Sequence, residues 1–118
     1  MKINVLGTEY EIIKKKYEDD GEFERRGISG YCNGVLKRMV YCDMTTYPGF
    51  ENESREHIAL TEKEIVRHET VHAFLNESGL MASSFIPKDG WAYNEEMVDW
   101  IAIQGPELYA AWVEAEAV

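Results

Sequence analysis

Two of the three histidines in this 118-residue chain stand four apart, in His68-Glu69-Thr70-Val71-His72. On an α-helix that spacing puts both imidazoles on one face, where their nitrogens converge on a single cation. Imidazole suits Zn²⁺ at neutral pH because it need only be uncharged to ligate. Glu69, between them, falls on the flank of such a metal and is placed to take a proton from an attacking water. A Lewis acid, a carboxylate base and a polarised carbonyl are the parts of a hydrolytic reaction, and peptide hydrolysis fits them.

A site of this kind needs a third protein ligand and an open fourth position. The candidates lie in Asn94-Glu95-Glu96-Met97-Val98-Asp99. Glu95 and Asp99, four apart, share a helical face with Val98 and Ala102 and are expected to look inward. Glu96 lies about a quarter turn away and reads as a helix-start charge favoured by the dipole. Glu95 is therefore the expected third ligand. Asp99 is expected to accept the far N–H of a ligating histidine, fixing its tautomer. On the same wheel Lys63, Arg67 and Thr70 form the watered side of the first helix, with His68, His72 and Glu69 opposite, beside Ile65 and Leu75. The alternative is an ion-paired helix face whose histidines are buried and hydrogen-bonded without metal.

The elements that must carry these residues occupy the second half of the chain. Thr61-Glu62-Lys63-Glu64 reads as a capping box opening a helix that runs to about Ser78, with Gly79 beyond its end. Residues 80–93, with Pro87 and Gly90, read as a loop. Asn94 is a good N-cap for a second helix through about Ile103. Gly105-Pro106 breaks it, and Pro106 opens a short third helix that packs through Leu108, Tyr109, Trp112 and Val113. The first half reads as strands. Ile3–Val5 and Tyr10–Ile12 alternate across Gly7-Thr8-Glu9 as a hairpin, and Lys14-Lys15-Lys16 ends the second strand. Residues 18–26, acidic and broken by glycine, read as a loop. Tyr31-Cys32 and Val35-Leu36 flank an Asn33-Gly34 turn, and Met39–Asp43 is a further strand. The fold class is α+β, strands first and helices after.

At 118 residues, with 45% apolar and 29% charged residues, this is one domain's worth of globular chain. Acids outnumber bases 22 to 12, for a net charge of −10 and a pI near 4.7. That balance argues against nucleic acid and against an anionic membrane surface, both of which recruit Lys and Arg. No apolar run approaches the roughly 18 residues of a membrane span, and the first residues meet charge too soon for a signal peptide. Cys32 and Cys42 make no disulfide framework and are expected to be reduced in the core, which places the chain in the cytoplasm.

HETVH, a glycine seven residues beyond His72, and then NEEMVD resemble the gluzincin metallopeptidases, whose thermolysin-like members carry HExxH on one helix and N-E-x-x-x-D on the next. The small size is most similar to the compact minigluzincins, and short HExxH peptidases of mobile genetic elements are also similar. The likeness covers residues 61–103. It implies a small zincin-like domain and a zinc peptidase acting on proteins or peptides. His68, His72 and Glu95 would be the ligands, Glu69 the general base and Asp99 the acceptor behind a histidine. Such peptidases take substrate as an added strand, and Met39, Val40, Tyr41 and Cys42 are expected to be that edge. The chain departs from larger gluzincins in having no histidine after His72. Tyr93 and Tyr109 are the candidates for the missing oxyanion donor. His57 is expected on the surface. Compact relatives can be latent, with a chain segment across the cleft, and the sequence leaves open whether the tail with Glu114 and Glu116 does this. A second function class is a zinc-stabilised, catalytically silent binding module, and a third is a metal-free interaction protein.

Overall fold

The computed structural model describes residues 1–80, 92, 94–116 and 118. β1 (Lys2–Val5) and β2 (Thr8–Lys15) form the expected hairpin. It is closed by two residues rather than three, Leu6 and Gly7, both at positive φ. That backbone matches the twist of the flanking strands and lets Thr8 pair with Val5.

Residues 18–26 are not a plain loop. A single 3₁₀ turn at Tyr17–Asp19 leads into the short helix α1 (Glu22–Arg26). The charged sequence hides this helix because one side chain, the fully buried Phe23, anchors it. Gly27, at φ +62°, ends it and donates its N–H to the Phe23 carbonyl. β3 (Gly30–Asn33) and β4 (Arg38–Cys42) follow as an antiparallel pair. Val35 and Leu36 are not in a strand. The Asn33 side-chain oxygen accepts from both of their N–H groups, at 3.1 and 2.9 Å, and this local bonding shapes a longer connection.

The four strands form one mixed sheet in the order β1-β2-β4-β3, with β2 and β4 parallel. β4 is thus an interior strand, which corrects the expectation that Met39, Val40, Tyr41 and Cys42 form an open edge. The reason is legible in its burial. Met39 packs with Val5, Tyr10 and Ala73, whereas Val40 and Cys42 pack with Phe23 and Met44. Successive residues of a strand point to opposite faces, so β4 is covered on both. The free edge beside the helices belongs to β3.

α2 (Arg55–Glu77) begins seven residues before the expected start capped by Thr61. Ser54 is its N-cap, accepting from the His57 N–H at 3.0 Å. Thr61, inside the helix, donates its hydroxyl to the His57 carbonyl instead. Ser78 and Gly79 close α2 as expected, with Gly79 at φ +82°. α3 (Glu95–Glu114) opens at Asn94, which accepts from the Met97 N–H at 2.8 Å. It does not stop at Gly105-Pro106, so the expected short third helix is the second half of α3.

Pro106 has no N–H, and the Ala102 carbonyl four residues earlier loses its helical donor. The Arg67 Nε of α2 donates to that carbonyl at 2.5 Å. The two helices also share a core of Leu75, Ala92 and Val98. Arg67 and Thr70 are therefore not on a watered side. Arg67 reaches α3, and the Thr70 hydroxyl lies against the Met39 sulfur. Beyond Pro106, Tyr109, Trp112 and Val113 are exposed rather than packed as expected. No helix among the described residues is long and apolar enough to cross a membrane.

Candidate metal centre

α2 projects His68 and His72 from one face, and their Nε2 atoms lie 3.1 Å apart. α3 brings Glu95 across from the opposite side. Its Oε2 is 3.1 Å from the His68 Nε2 and its Oε1 is 3.3 Å from the His72 Nε2. Asp99, one turn further along α3, places Oδ1 2.6 Å from the His68 Nδ1. A proton held at Nδ1 by that carboxylate leaves the Nε2 lone pair aimed at the gap between the three groups. Burial holds the His72 pKa below its ordinary value, against the pull of Glu95, and so favours the neutral ring that can ligate.

The gap has the size of a metal ion. Donor atoms held about 2.1 Å from one ion at a tetrahedral angle stand about 3.4 Å from each other. The two imidazole Nε2 atoms are 3.1 Å apart, and each stands 3.1 or 3.3 Å from one of the two Glu95 carboxylate oxygens, separations close to that figure. His68, Glu69 and His72 also form a grouping that could hold a metal, with candidate ligand atoms within 4.8 Å of one another. Two ligands of one ion cannot be more than about 4.2 Å apart, and the Glu69 Oε1 is 4.0 Å from the His68 Nε2. Sharing an ion with His68 would open the ligand angle to about 145°, well beyond tetrahedral. Glu95 is the better third ligand, and Glu69 stands beside the sphere.

Glu69 is the one buried charged side chain among the described residues. It makes no hydrogen bond among them. Burial pushes its carboxyl up to about 7, with His68 opposing and Glu95 reinforcing the rise. A carboxyl poised there can both accept and release a proton near neutral pH.

Two cavities, of about 440 and 450 Å³, meet at this centre and share Ile28, Gly30, His68, Glu69 and Glu95. One has an apolar wall of Met44, Tyr47, Phe50 and Ile65. The other is lined by Arg26, Cys32 and Asn76. The edge strand β3 runs over the site with little clearance. A Cβ on Gly30 would lie 2.6 Å from the Ile65 Cγ2 and 3.3 Å from the Glu69 Oε1. Gly30 and the aromatic wall were missed by sequence reasoning. A glycine opening a short strand beside a helix was the available signal for close backbone approach.

The remaining expected residues divide. Glu95 and Asp99 face the histidines but stay open to solvent, at 65% and 59% side-chain exposure, because α3 crosses at the cleft mouth. Tyr109 is not brought to the site. It sits 14 residues beyond Glu95 on the same helix, about 21 Å along the axis, and is exposed. Tyr93 lies outside the described residues. His57 is on the surface, as expected, 3.1 Å from the Glu53 carboxylate. Neither cavity is lined by a described residue beyond Asp99, so the tail with Glu114 and Glu116 does not lie across them. Cys32 and Cys42 are free, and burial pushes the Cys32 thiol up to about 12, which leaves it inert as a nucleophile. Comparison with family models, with curated proteins and with solved structures finds no match to this chain.

Proposed function

We propose that the chain is a zinc-dependent metallopeptidase of gluzincin type, on a minimal zincin-like domain, cleaving peptide bonds in peptides or proteins. The observation that carries this reading is the convergence of the His68 and His72 Nε2 atoms, 3.1 Å apart, with the Glu95 carboxylate, whose oxygens lie 3.1 and 3.3 Å from them, beside a buried Glu69 side chain. A salt-bridged helix face alone gives no reason for an enclosed side chain whose carboxyl opens onto two cavities.

His68, His72 and Glu95 would hold the ion. Zinc bound there supplies polarisation of a substrate carbonyl and brings the pKa of a water from about 15.7 to near 7. Glu69 takes the proton of the attacking water and delivers it to the departing amine, a shuttle matched to its carboxyl near 7. Asp99 holds the His68 ring in one tautomer through the 2.6 Å contact. β3, the edge strand lining both cavities, offers its free main-chain groups to an extended peptide. An apolar substrate side chain fits against Met44, Tyr47, Phe50 and Ile65. Two free cysteines suit a reducing compartment, and we assign the cytoplasm.

The test pairs elemental analysis of the purified chain with digestion of a mixed peptide library by wild type and Glu69→Gln. One zinc per chain in both proteins, with cleavage by wild type alone, is the expected result. Zinc in both and cleavage by neither would leave the silent binding module, and a wild-type chain without zinc after supplementation would end the metal reading.

A further inference from the structure

We propose that Arg67 is a positioning residue for the metal centre, its guanidinium bonded to the α3 carbonyl that Pro106 leaves free and thereby setting Glu95 against His68 and His72. The proposal rests on the metal reading above. In an α-helix the N–H of residue 106 would bond the Ala102 carbonyl, but proline has no N–H to give. Ala102 is only 2% exposed, so water is a poor substitute for the lost donor. The Arg67 Nε fills the role at 2.5 Å.

Arg67 makes no ion pair with a carboxylate among the described residues. Its surroundings are the apolar walls of the groove between α2 and α3, formed by Val66, Val71, Phe74, Leu75 and Ile101. Such an environment strengthens a charge-assisted hydrogen bond and makes its loss costly. Outside the centre itself it is the one polar bond between α2 and α3 among the described residues.

Its place in the chain ties it to the site. Arg67 precedes His68, and Ala102 lies three residues beyond Asp99, so the bond sets how the glutamate-bearing stretch of α3 sits against the histidine face. Glu95 and Asp99 are solvent-open and are not fixed by burial of their own. A ligand that must come within a few tenths of an ångström of a shared ion then depends on the helix that carries it.

The test is zinc affinity, by chelator competition, for Arg67→Leu and Arg67→Gln, each with and without Pro106→Ala. Glutamine places an amide N–H the same number of bonds from the backbone as the arginine Nε. Arg67→Leu should weaken zinc binding about tenfold, and Arg67→Gln less than threefold. With Pro106→Ala the helix supplies its own N–H to the Ala102 carbonyl, and Arg67→Leu should then cost less than threefold. An Arg67→Leu chain that folds only together with Pro106→Ala supports the same coupling. One that fails to fold in both backgrounds shows a general folding role and overturns the proposal. So does an Arg67→Leu affinity within twofold of wild type, or an equal loss in both backgrounds. A wild-type chain that binds no zinc removes the metal reading and the positioning role with it, before any variant is compared.

Discussion

Glu69→Gln should lower activity and raise the stability of the metal-free chain, and the second effect can be sized. Burial carries the Glu69 carboxyl from 4.5 to about 7. At roughly 1.4 kcal/mol per tenfold change, that is a penalty on the folded state of about 3 kcal/mol once the group is ionised. The side chain is 8% exposed, so solvent screens little of it. The sign follows from the folded value lying above the unfolded one. Below pH 4.5 both states hold the proton and the penalty is absent. Between 4.5 and about 7 the unfolded chain gives up its proton while the folded chain keeps it, and stability falls. Above about 7 the full penalty applies. Glutamine does not titrate, so urea unfolding of the two metal-free proteins should show a gap that widens from pH 4.5 to pH 8 by up to about 3 kcal/mol. Turnover of the zinc-loaded variant should fall by about 10²–10⁴ while zinc is retained. A gap independent of pH would refute the reasoning about the buried carboxyl, and retained cleavage would refute its role as base.

Asp99→Ala should weaken zinc binding about 10–100-fold through loss of the carboxylate behind His68, and Glu95→Ala should weaken it further; chelator competition ranks the two, and the reverse order would contradict the ligand assignment. At the far end of α2, hydrogen bonds from Lys37 and Tyr10 hold the Glu77 carboxyl down to about 2. Because the folded value lies below the unfolded one, this stabilisation is present above pH 4.5 and is lost as pH falls toward 2. Lys37→Met should therefore flatten the acid limb of the stability curve, and unchanged urea midpoints between pH 6 and 2.5 would show the pair to be inconsequential. Gly30→Ala should cost about 1–3 kcal/mol by overpacking, since the new Cβ meets the branched side chain of Ile65 at 2.6 Å; a thermal midpoint equal to wild type would mean that β3 yields freely.

What the sequence by itself determined was local. His68 and His72 meet because 3.6 residues per turn brings positions four apart to one face, whatever surrounds the helix. Asn94 caps α3 because its own side chain reaches the Met97 N–H, and Gly79 follows α2 because it adopts φ +82° at little cost. For the same reason Glu95 and Asp99 were readable as a pair. Tertiary structure decided everything that depends on a neighbour far along the chain. β4 lies inside the sheet because β2 and β3 flank it and its two faces find separate cores. α1 exists because Phe23 has somewhere to be buried. α3 continues through Pro106 with the orphaned Ala102 carbonyl answered by Arg67 from another helix, and that continuation carries Tyr109 away from the histidines. Caps and helical faces are set by bonds a few residues long, whereas edges, orphaned acceptors and the distance between two helices are set by contacts that no short stretch of sequence contains.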